Sequence, residues 1–284
     1  MMPYLGSPED LNNRLGVPHQ LAFRGTSDGM VVAEIGNPHA TASISLQGGH
    51  VMRWQPKSAK LPVVWLSDLA RLAPGKSLRG GVPVCWPWFG PHAKNAGFPG
   101  HGYARTVPWA VTRTCGMADG ATLISLELIN SDQTRAMWNH PSKLTLDVTV
   151  GQTLKLTLAT GNLGEDAFVI SEALHAYFHL GDIARTRVLG LEGCEFLDKA
   201  GTGSGSRRRQ EGPVTFSAET DRVYVNTTAD CVIEDLQLAR RIRIAKSGSR
   251  STVVWTPWQE KADKMGDFGA DGWRSMVCVE SANA

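Results

Sequence analysis

Residues 143–158 read Lys143-Leu-Thr-Leu-Asp-Val-Thr-Val150, then Gly151-Gln152, then Thr153-Leu-Lys-Leu-Thr-Leu158. Apolar and polar side chains alternate strictly in both halves, the period of an extended strand with one buried face. The Gly-first pair between them predicts a two-residue type II′ turn, whose twist matches the strands it joins. One face then carries Leu144, Leu146, Val148 and Val150, so the hairpin covers a core on one side only.

The flanking sequence repeats this pattern. Upstream, Leu21 to Arg24, Met30 to Ile35, Ala40 to Leu46 and His50 to Trp54 are short, β-branched or alternating, and separated by Gly, Asn, Pro and Asp. Val107 to Thr114 and Ala121 to Ile129 flank a turn at Gly116 to Gly120. Downstream, strands are expected at Arg222 to Asn226, Cys231 to Glu234, Arg241 to Ala245, Thr252 to Trp255 and Met276 to Glu280. Residues 167–180 are too long for one ordinary strand and predict two segments or a bend. Gly201 to Gly212, with Arg207 to Arg209, predicts a flexible loop with a solvated charge run, and Trp258 to Gly272 a polar Gly-rich loop. One short helix is expected, capped by Ser7, with Pro8 in its first turn and Asp10 reaching back, ending at Gly16. These elements predict a single all-β domain over 1–284, a large antiparallel β-sandwich of roughly twenty strands with minimal helix.

The 284 residues carry 42% hydrophobic and 20% charged side chains, the composition of a chain that buries a core. Net charge is +2, from Lys+Arg 29 against Asp+Glu 27, so no basic field argues for nucleic acid and any anion specificity has to be local. The N-terminus lacks a basic and apolar leader, and no run of about 18 apolar residues occurs. A cytoplasmic protein without a membrane partner, most simply a monomer, is expected. The five cysteines are scattered and form no CxxC pair, so neither a disulfide framework nor a zinc site is indicated.

Chemistry-bearing residues concentrate in two places. Residues 78–105, rich in Gly, Pro and aromatics, contain Arg79-Gly80-Gly81, where glycines could turn backbone N–H groups toward a ligand beside a guanidinium. The same stretch ends His101-Gly-Tyr-Ala-Arg105, which in extended backbone puts His101, Tyr103 and Arg105 on one face. The other place is the second half of the chain. His175, Tyr177 and His179 share a face if extended, but the helical spacing and the Glu of an HExxH zinc motif are absent, so no metal is expected. At the end, Val277 and Val279 alternate with Cys278 and Glu280, so Glu280 points away from the valine face and could serve as a buried general base. Cys85 and Cys278 follow no helix start that would stabilise a thiolate, which argues against covalent catalysis.

Several pieces taken together resemble the aldose 1-epimerase (mutarotase) superfamily, and within it the hexose-6-phosphate mutarotase group. They are Gly49-His50-Val51 to Gln55-Pro56, Trp65-Leu66-Ser67, Arg79 to Pro91, His101 to Arg105, Ala173 to Phe178, Asp221 to Tyr224, Val254 to Trp258 and Cys278 to Glu280, in order across nearly the whole chain. The resemblance implies the galactose mutarotase-like supersandwich and an isomerase interconverting α and β anomers of a sugar phosphate. It implies Glu280 as base and His175 as acid, Arg79 and Arg105 near phosphate and sugar with His101 beside them, Asp221 on a hydroxyl, and no cofactor or metal. Trp86, Trp88, Trp255 and Trp258 are open between site walls and core. Tyr103 and Ser281-Ala282 depart from the usual pattern, away from the acid, the base and the arginines. Two rival readings on the same scaffold are a mutarotase for unphosphorylated aldoses and a non-catalytic sugar-phosphate binding protein.

Overall fold

The computed structural model describes residues 6–201 and 205–284. Ser7 opens α1 (Pro8–Leu15): its Oγ accepts the Asp10 N–H at 3.1 Å and donates to the Asp10 carboxylate at 2.8 Å, and Gly16 ends the helix as expected. Residue contacts sort the chain into two units.

The first unit runs to Pro62 and adds Leu72–Leu78 and Pro83–Ile170. Its first sheet is antiparallel in chain order, β1 (Leu21–Gly25), β2 (Val31–Gly36), β3 (Ala40–Ser45) and β4 (His50–Pro56). After a short β5 (Val84–Cys85) comes a second antiparallel sheet, β6 (Trp109–Gly116), β7 (Thr122–Leu128), β8 (Ser142–Val150) and β9 (Leu154–Asn162), with α2 (Asp132–Met137) between β7 and β8. The predicted face of β8 is the buried one, since Leu144, Leu146, Val148 and Val150 are at most 1% exposed. Asn37 ties the two sheets together, donating from Nδ2 to Thr122 Oγ1 at 3.0 Å and to the Val150 carbonyl at 2.8 Å.

The turn of the β8–β9 hairpin differs from the expectation. Val150 pairs with Leu154, so the loop has three residues, Gly151 to Thr153, not two. A two-residue loop would pair Val150 with Thr153 and throw the β9 leucines onto the face opposite the β8 apolar set. The observed register sets Leu154, Leu156 and Leu158 beside Val150, Val148 and Leu146. Burial decides register here, because a one-residue slip reverses every side chain.

The second unit comprises Val63–Arg71, Arg79–Val82 and Ser171–Ala284. The segment 167–180 resolves into two strands, β10 (Glu172–Leu174) and β11 (Tyr177–His179). They are followed by β12 (Thr186–Leu189), β13 (Glu195–Asp198), β14 (Ser206–Arg209), β15 (Val214–Thr215), β16 (Thr220–Val225), β17 (Cys231–Asp235), β18 (Arg240–Ile244), β19 (Ser251–Thr256), α3 (Trp258–Ala262) and β20 (Met276–Asn283). One sheet runs β14-β13-β16-β19-β20-β10, with β11 also on β20; the other runs β15-β12-β17-β18. The chain is thus a predominantly antiparallel all-β protein with little helix. None of the described helices is long and apolar enough to cross a membrane.

Two local expectations are corrected. Of the run Gly201 to Gly212, residues 202–204 lie outside the described residues, but Ser206–Arg209 is an edge strand rather than a loop. It is held on β13, whose Glu195 and Asp198 face Arg207 at 3.4 Å and Arg208 at 3.5 Å, and its charges blunt an otherwise open sheet edge. The supposed loop after Trp258 contains α3, a single turn too short to leave a periodic signal.

Candidate active site

Register alone assembles most of the site. Trp255 on β19 pairs with Cys278 on β20; β16 sets Asp221 beside Trp255, and β11 sets Tyr177 beside Cys278. Directly paired residues share a face, so Asp221, Trp255, Cys278 and Tyr177 form one row across the sheet. Glu280 lies two residues beyond Cys278 on the same face, in the next row. That next row is where the ladder is interrupted. β10 pairs Leu174 with Ser281 and β11 pairs Tyr177 with Cys278, leaving His175 and Ala176 opposite Val279 and Glu280. The Ala176 N–H turns back to the Leu174 carbonyl at 2.9 Å, so His175 sits in a kink between two strands.

The kink brings His175 Nδ1 to 3.4 Å from Glu280 Oε1, with side chains 11% and 1% exposed. At that separation the two form an ion pair whenever the imidazole is protonated, and burial strengthens the attraction. Two aromatic rings pack against the imidazole. The Tyr177 ring lies parallel to it, 5.0 Å between centroids and 9° between planes, and Trp255 meets it edge-on at 6.1 Å.

Tyr177 carries the chain of contacts onward. Its hydroxyl accepts from Arg79 Nη1 at 3.1 Å, and Arg79 Nε donates to Asp267 Oδ1 at 3.2 Å. Burial holds the Tyr177 phenol above its ordinary range, so it stays neutral and keeps its own proton. Trp65 stacks on both Tyr177 and Phe268, and the Arg79 guanidinium lies 5.6 Å from the Phe268 ring centre. Ser67 Oγ donates to the Asp267 carbonyl at 2.7 Å, which fixes the loop that presents Asp267. Among the described residues, two of the five guanidinium N–H groups of Arg79 are engaged in this way, and the other three suit an incoming anion.

Beside Arg79, Gly80 and Gly81 do not do what the sequence suggested. The Gly81 N–H donates to the Trp65 carbonyl at 2.6 Å instead of pointing at a ligand. Gly80 has φ 105°, and a Cβ there would lie 2.7 Å from Leu66 Cα, so its role is a close backbone crossing.

Asp221 shows the opposite of a stabilising carboxylate. Burial raises its pKa above the ordinary 3.8, outweighing the pull of Lys199 and Lys261. A carboxyl group whose folded pKa is raised favours the fold below its unfolded pKa and loses that contribution as pH rises through the folded value. Asp221→Asn is accordingly expected to melt at a higher temperature than the wild type at pH 7, with the gap narrowing toward pH 4; equal melting at pH 7, followed by calorimetry, contradicts this.

The first unit holds His101 and Arg105, and their backbone is not the expected extended segment. His101 has φ 64° and Gly102 φ 73°, and Ala104–Thr106 is a 3₁₀ turn, so the one-face alternation of His101, Tyr103 and Arg105 does not exist. A Cβ on Gly102 would lie 1.9 Å from the Trp86 carbonyl oxygen, which explains the turn. Arg105 Nη2 donates to the Gly100 carbonyl at 2.8 Å, His101 Nδ1 accepts the Gly90 N–H at 3.3 Å, and Tyr103 is buried. Of the tryptophans, Trp86 and Trp88 pack against Tyr103 in this unit, while in the second unit Trp258 packs on Trp273 and Trp255 borders His175.

The residues that sequence reasoning did not place in the site are Tyr177, Trp65, Asp267, Phe268 and Cys278. Cys278 contributes a further property: among the described residues, one ligand atom each from His175, Cys278 and Glu280 lies within 4.8 Å of the others. His179, four residues after His175, is not part of that cluster.

The sequence profile of the aldose 1-epimerase family matches residues 32–284. An Escherichia coli K12 protein provisionally named glucose-6-phosphate 1-epimerase is 40% identical over 250 residues, 88% of this chain and 82% of that protein. A Salmonella typhimurium protein with the same provisional name is 38% identical over 257 residues, 90% and 84% of the two chains. The crystal structure of a provisionally assigned mutarotase (YeaD) from Salmonella typhimurium superposes with a TM-score of 0.86 at 37% identity, covering 93% of this chain and 86% of that one.

Proposed function

The chain belongs to the aldose 1-epimerase family, and from that premise we propose that it interconverts the α and β anomers of hexose 6-phosphates, with Glu280 and His175 as the acid–base pair. Ring opening requires that the proton on the anomeric O1 leave while the ring oxygen gains one. Both oxygens are bonded to C1, so the groups serving them have to be neighbours. The 3.4 Å contact between His175 and Glu280 on one sheet face is the observation that carries the assignment.

Glu280, as carboxylate, takes the O1 proton, and His175, as imidazolium, gives one to the ring oxygen. The aldehyde then rotates about C1–C2, and the two groups exchange roles as the ring closes on the other face. Each positioned group contributes on the order of 10²- to 10⁴-fold, which suits a reaction that already proceeds in water. Tyr177 and Trp255 hold the imidazole plane, and Asp221 lies one row away for a sugar hydroxyl. Arg79 binds the anion, for which its three remaining N–H groups and planar fork are suited.

One observation favours the rival reading of an unphosphorylated aldose: Asp267 partly neutralises Arg79. Anomer exchange by NMR saturation transfer on glucose 6-phosphate and on glucose decides between them. At least about tenfold faster kcat/KM is expected on the phosphorylated sugar, as for one charge-assisted contact worth about 1.5 kcal/mol or more. Equal rates on both refute the phosphate assignment, and tight binding of the sugar phosphate without faster exchange refutes catalysis.

A further inference from the structure

We propose that His175, Cys278 and Glu280 form a binding site for a thiophilic divalent cation, with Zn²⁺ as its probe, and that occupancy shuts the enzyme off by engaging its acid and its base together. The binding part rests on geometry alone; the shut-off rests on the assignment of His175 and Glu280 made above.

A thiolate sulfur, an imidazole nitrogen and a carboxylate oxygen are each zinc ligands, and three protein ligands leave a fourth position for water. Their ligand atoms already lie within 4.8 Å of one another. Bonds of about 2.0 to 2.3 Å in a tetrahedron imply ligand–ligand edges of about 3.3 to 3.8 Å. The 3.4 Å between His175 Nδ1 and Glu280 Oε1 is therefore an edge of the right length as it stands. Cys278 and Glu280 are two residues apart on β20, a strand paired on both sides, so two of the three ligands come from one rigid element. The three residues are buried at 0%, 9% and 2% exposure for Cys278, His175 and Glu280, a setting in which competing water is scarce.

Cys278 has no part in the acid–base chemistry, and it is what makes the cluster selective. A thiolate favours Zn²⁺ and Cu⁺ over the hard cations Mg²⁺ and Ca²⁺. On binding, the thiol loses its proton to solvent and the sulfur bonds the metal. A metal-bound carboxylate is no longer a base and a metal-bound imidazole no longer an acid, so cation and sugar chemistry exclude each other.

The test uses the full chain. Zn²⁺ affinity is measured by chelator competition and Co²⁺ is added separately as a spectroscopic probe. The expected result is one Zn²⁺ per chain, a thiolate-to-cobalt charge-transfer band, anomer exchange that falls in step with Zn²⁺ occupancy and returns with EDTA, and no inhibition by Mg²⁺. Cys278→Ala, with Cys278→Ser as the size-conserving control for folding, is expected to abolish the band and weaken Zn²⁺ binding at least about a hundredfold, beyond the 10- to 100-fold typical of losing an outer-shell partner. Unchanged Zn²⁺ affinity in folded Cys278→Ala or Cys278→Ser overturns the site, and undiminished exchange at full occupancy overturns the shut-off. If the metal-free protein does not accelerate anomer exchange at all, the catalytic assignment fails while the band and affinities still judge the site.

Discussion

Glu280→Gln is expected to lower anomer exchange on glucose 6-phosphate by at least about a hundredfold, and His175→Ala to do the same, because in the proposed mechanism each removes one of two proton-transfer groups. Gln keeps the volume and a hydrogen-bonding oxygen at a position 1% exposed on its side chain, so the loss is of basicity rather than of packing. His175→Ala is less clean. It leaves Glu280 buried without the imidazole it meets at 3.4 Å, so a lower melting temperature accompanies the lost activity. His175→Gln separates the two effects: it fills the space beside Tyr177 and still cannot act as an acid near neutral pH. The double variant is expected to be scarcely slower than either single one, since residues acting as a unit are not additive. Saturation-transfer NMR reads all four proteins on one scale. Exchange near the wild-type rate in folded Glu280→Gln and His175→Gln would sink the mechanism.

What could be read in the sequence follows from how local each signal is. The alternation of β8 and the Ser7, Pro8 and Asp10 cap of α1 are encoded within a few residues, and both appear in the fold. The hairpin turn misled because Gly151-Gln152 is a local cue, while register is settled by which face the β9 leucines share with β8. The length of residues 167–180 predicts a break or a bend, but its place at His175 has no local cue. Residues 172–179 contain neither Gly nor Pro, and the break exists because two separate stretches of β20 pair with β10 and β11. His175 and Glu280 were singled out through family resemblance and the alternation of β20, and Tyr177 was within reach as the i+2 neighbour of His175. Trp65, Asp267 and Phe268 were not, since their positions depend on contacts such as Ser67 Oγ with the Asp267 carbonyl, made across 200 residues of chain.

Arg79→Ala is expected to act on two sugars to different degrees, and the difference tests how binding and chemistry are connected here. A hydrogen bond to a charged group is worth about 1.5–3 kcal/mol, so losing the phosphate contact costs about 10- to 100-fold in kcat/KM on glucose 6-phosphate. If Arg79 were only a clasp, glucose would be unaffected. The structure argues otherwise. Arg79 donates to the Tyr177 hydroxyl, and the Tyr177 ring lies flat against His175, so the guanidinium stands two contacts from the acid. Removing it frees Tyr177 to shift, and a misplaced acid lowers kcat on any substrate. A smaller fall in kcat on glucose is therefore expected, alongside the larger fall on the phosphorylated sugar. Arg79→Lys sharpens the point, since it keeps the charge but loses the planar fork that holds Tyr177 and Asp267 together. It should recover part of the phosphate preference and little of the kcat. Asp267→Asn acts in the opposite sense: it leaves Arg79 on Tyr177 and removes the carboxylate that offsets its charge, so KM for glucose 6-phosphate falls while exchange of glucose stays the same. Steady-state exchange kinetics on both sugars, across the three variants, measure each term. Loss of phosphate preference in Arg79→Ala with no change in kcat on glucose would detach Arg79 from the acid and leave it a binding residue alone.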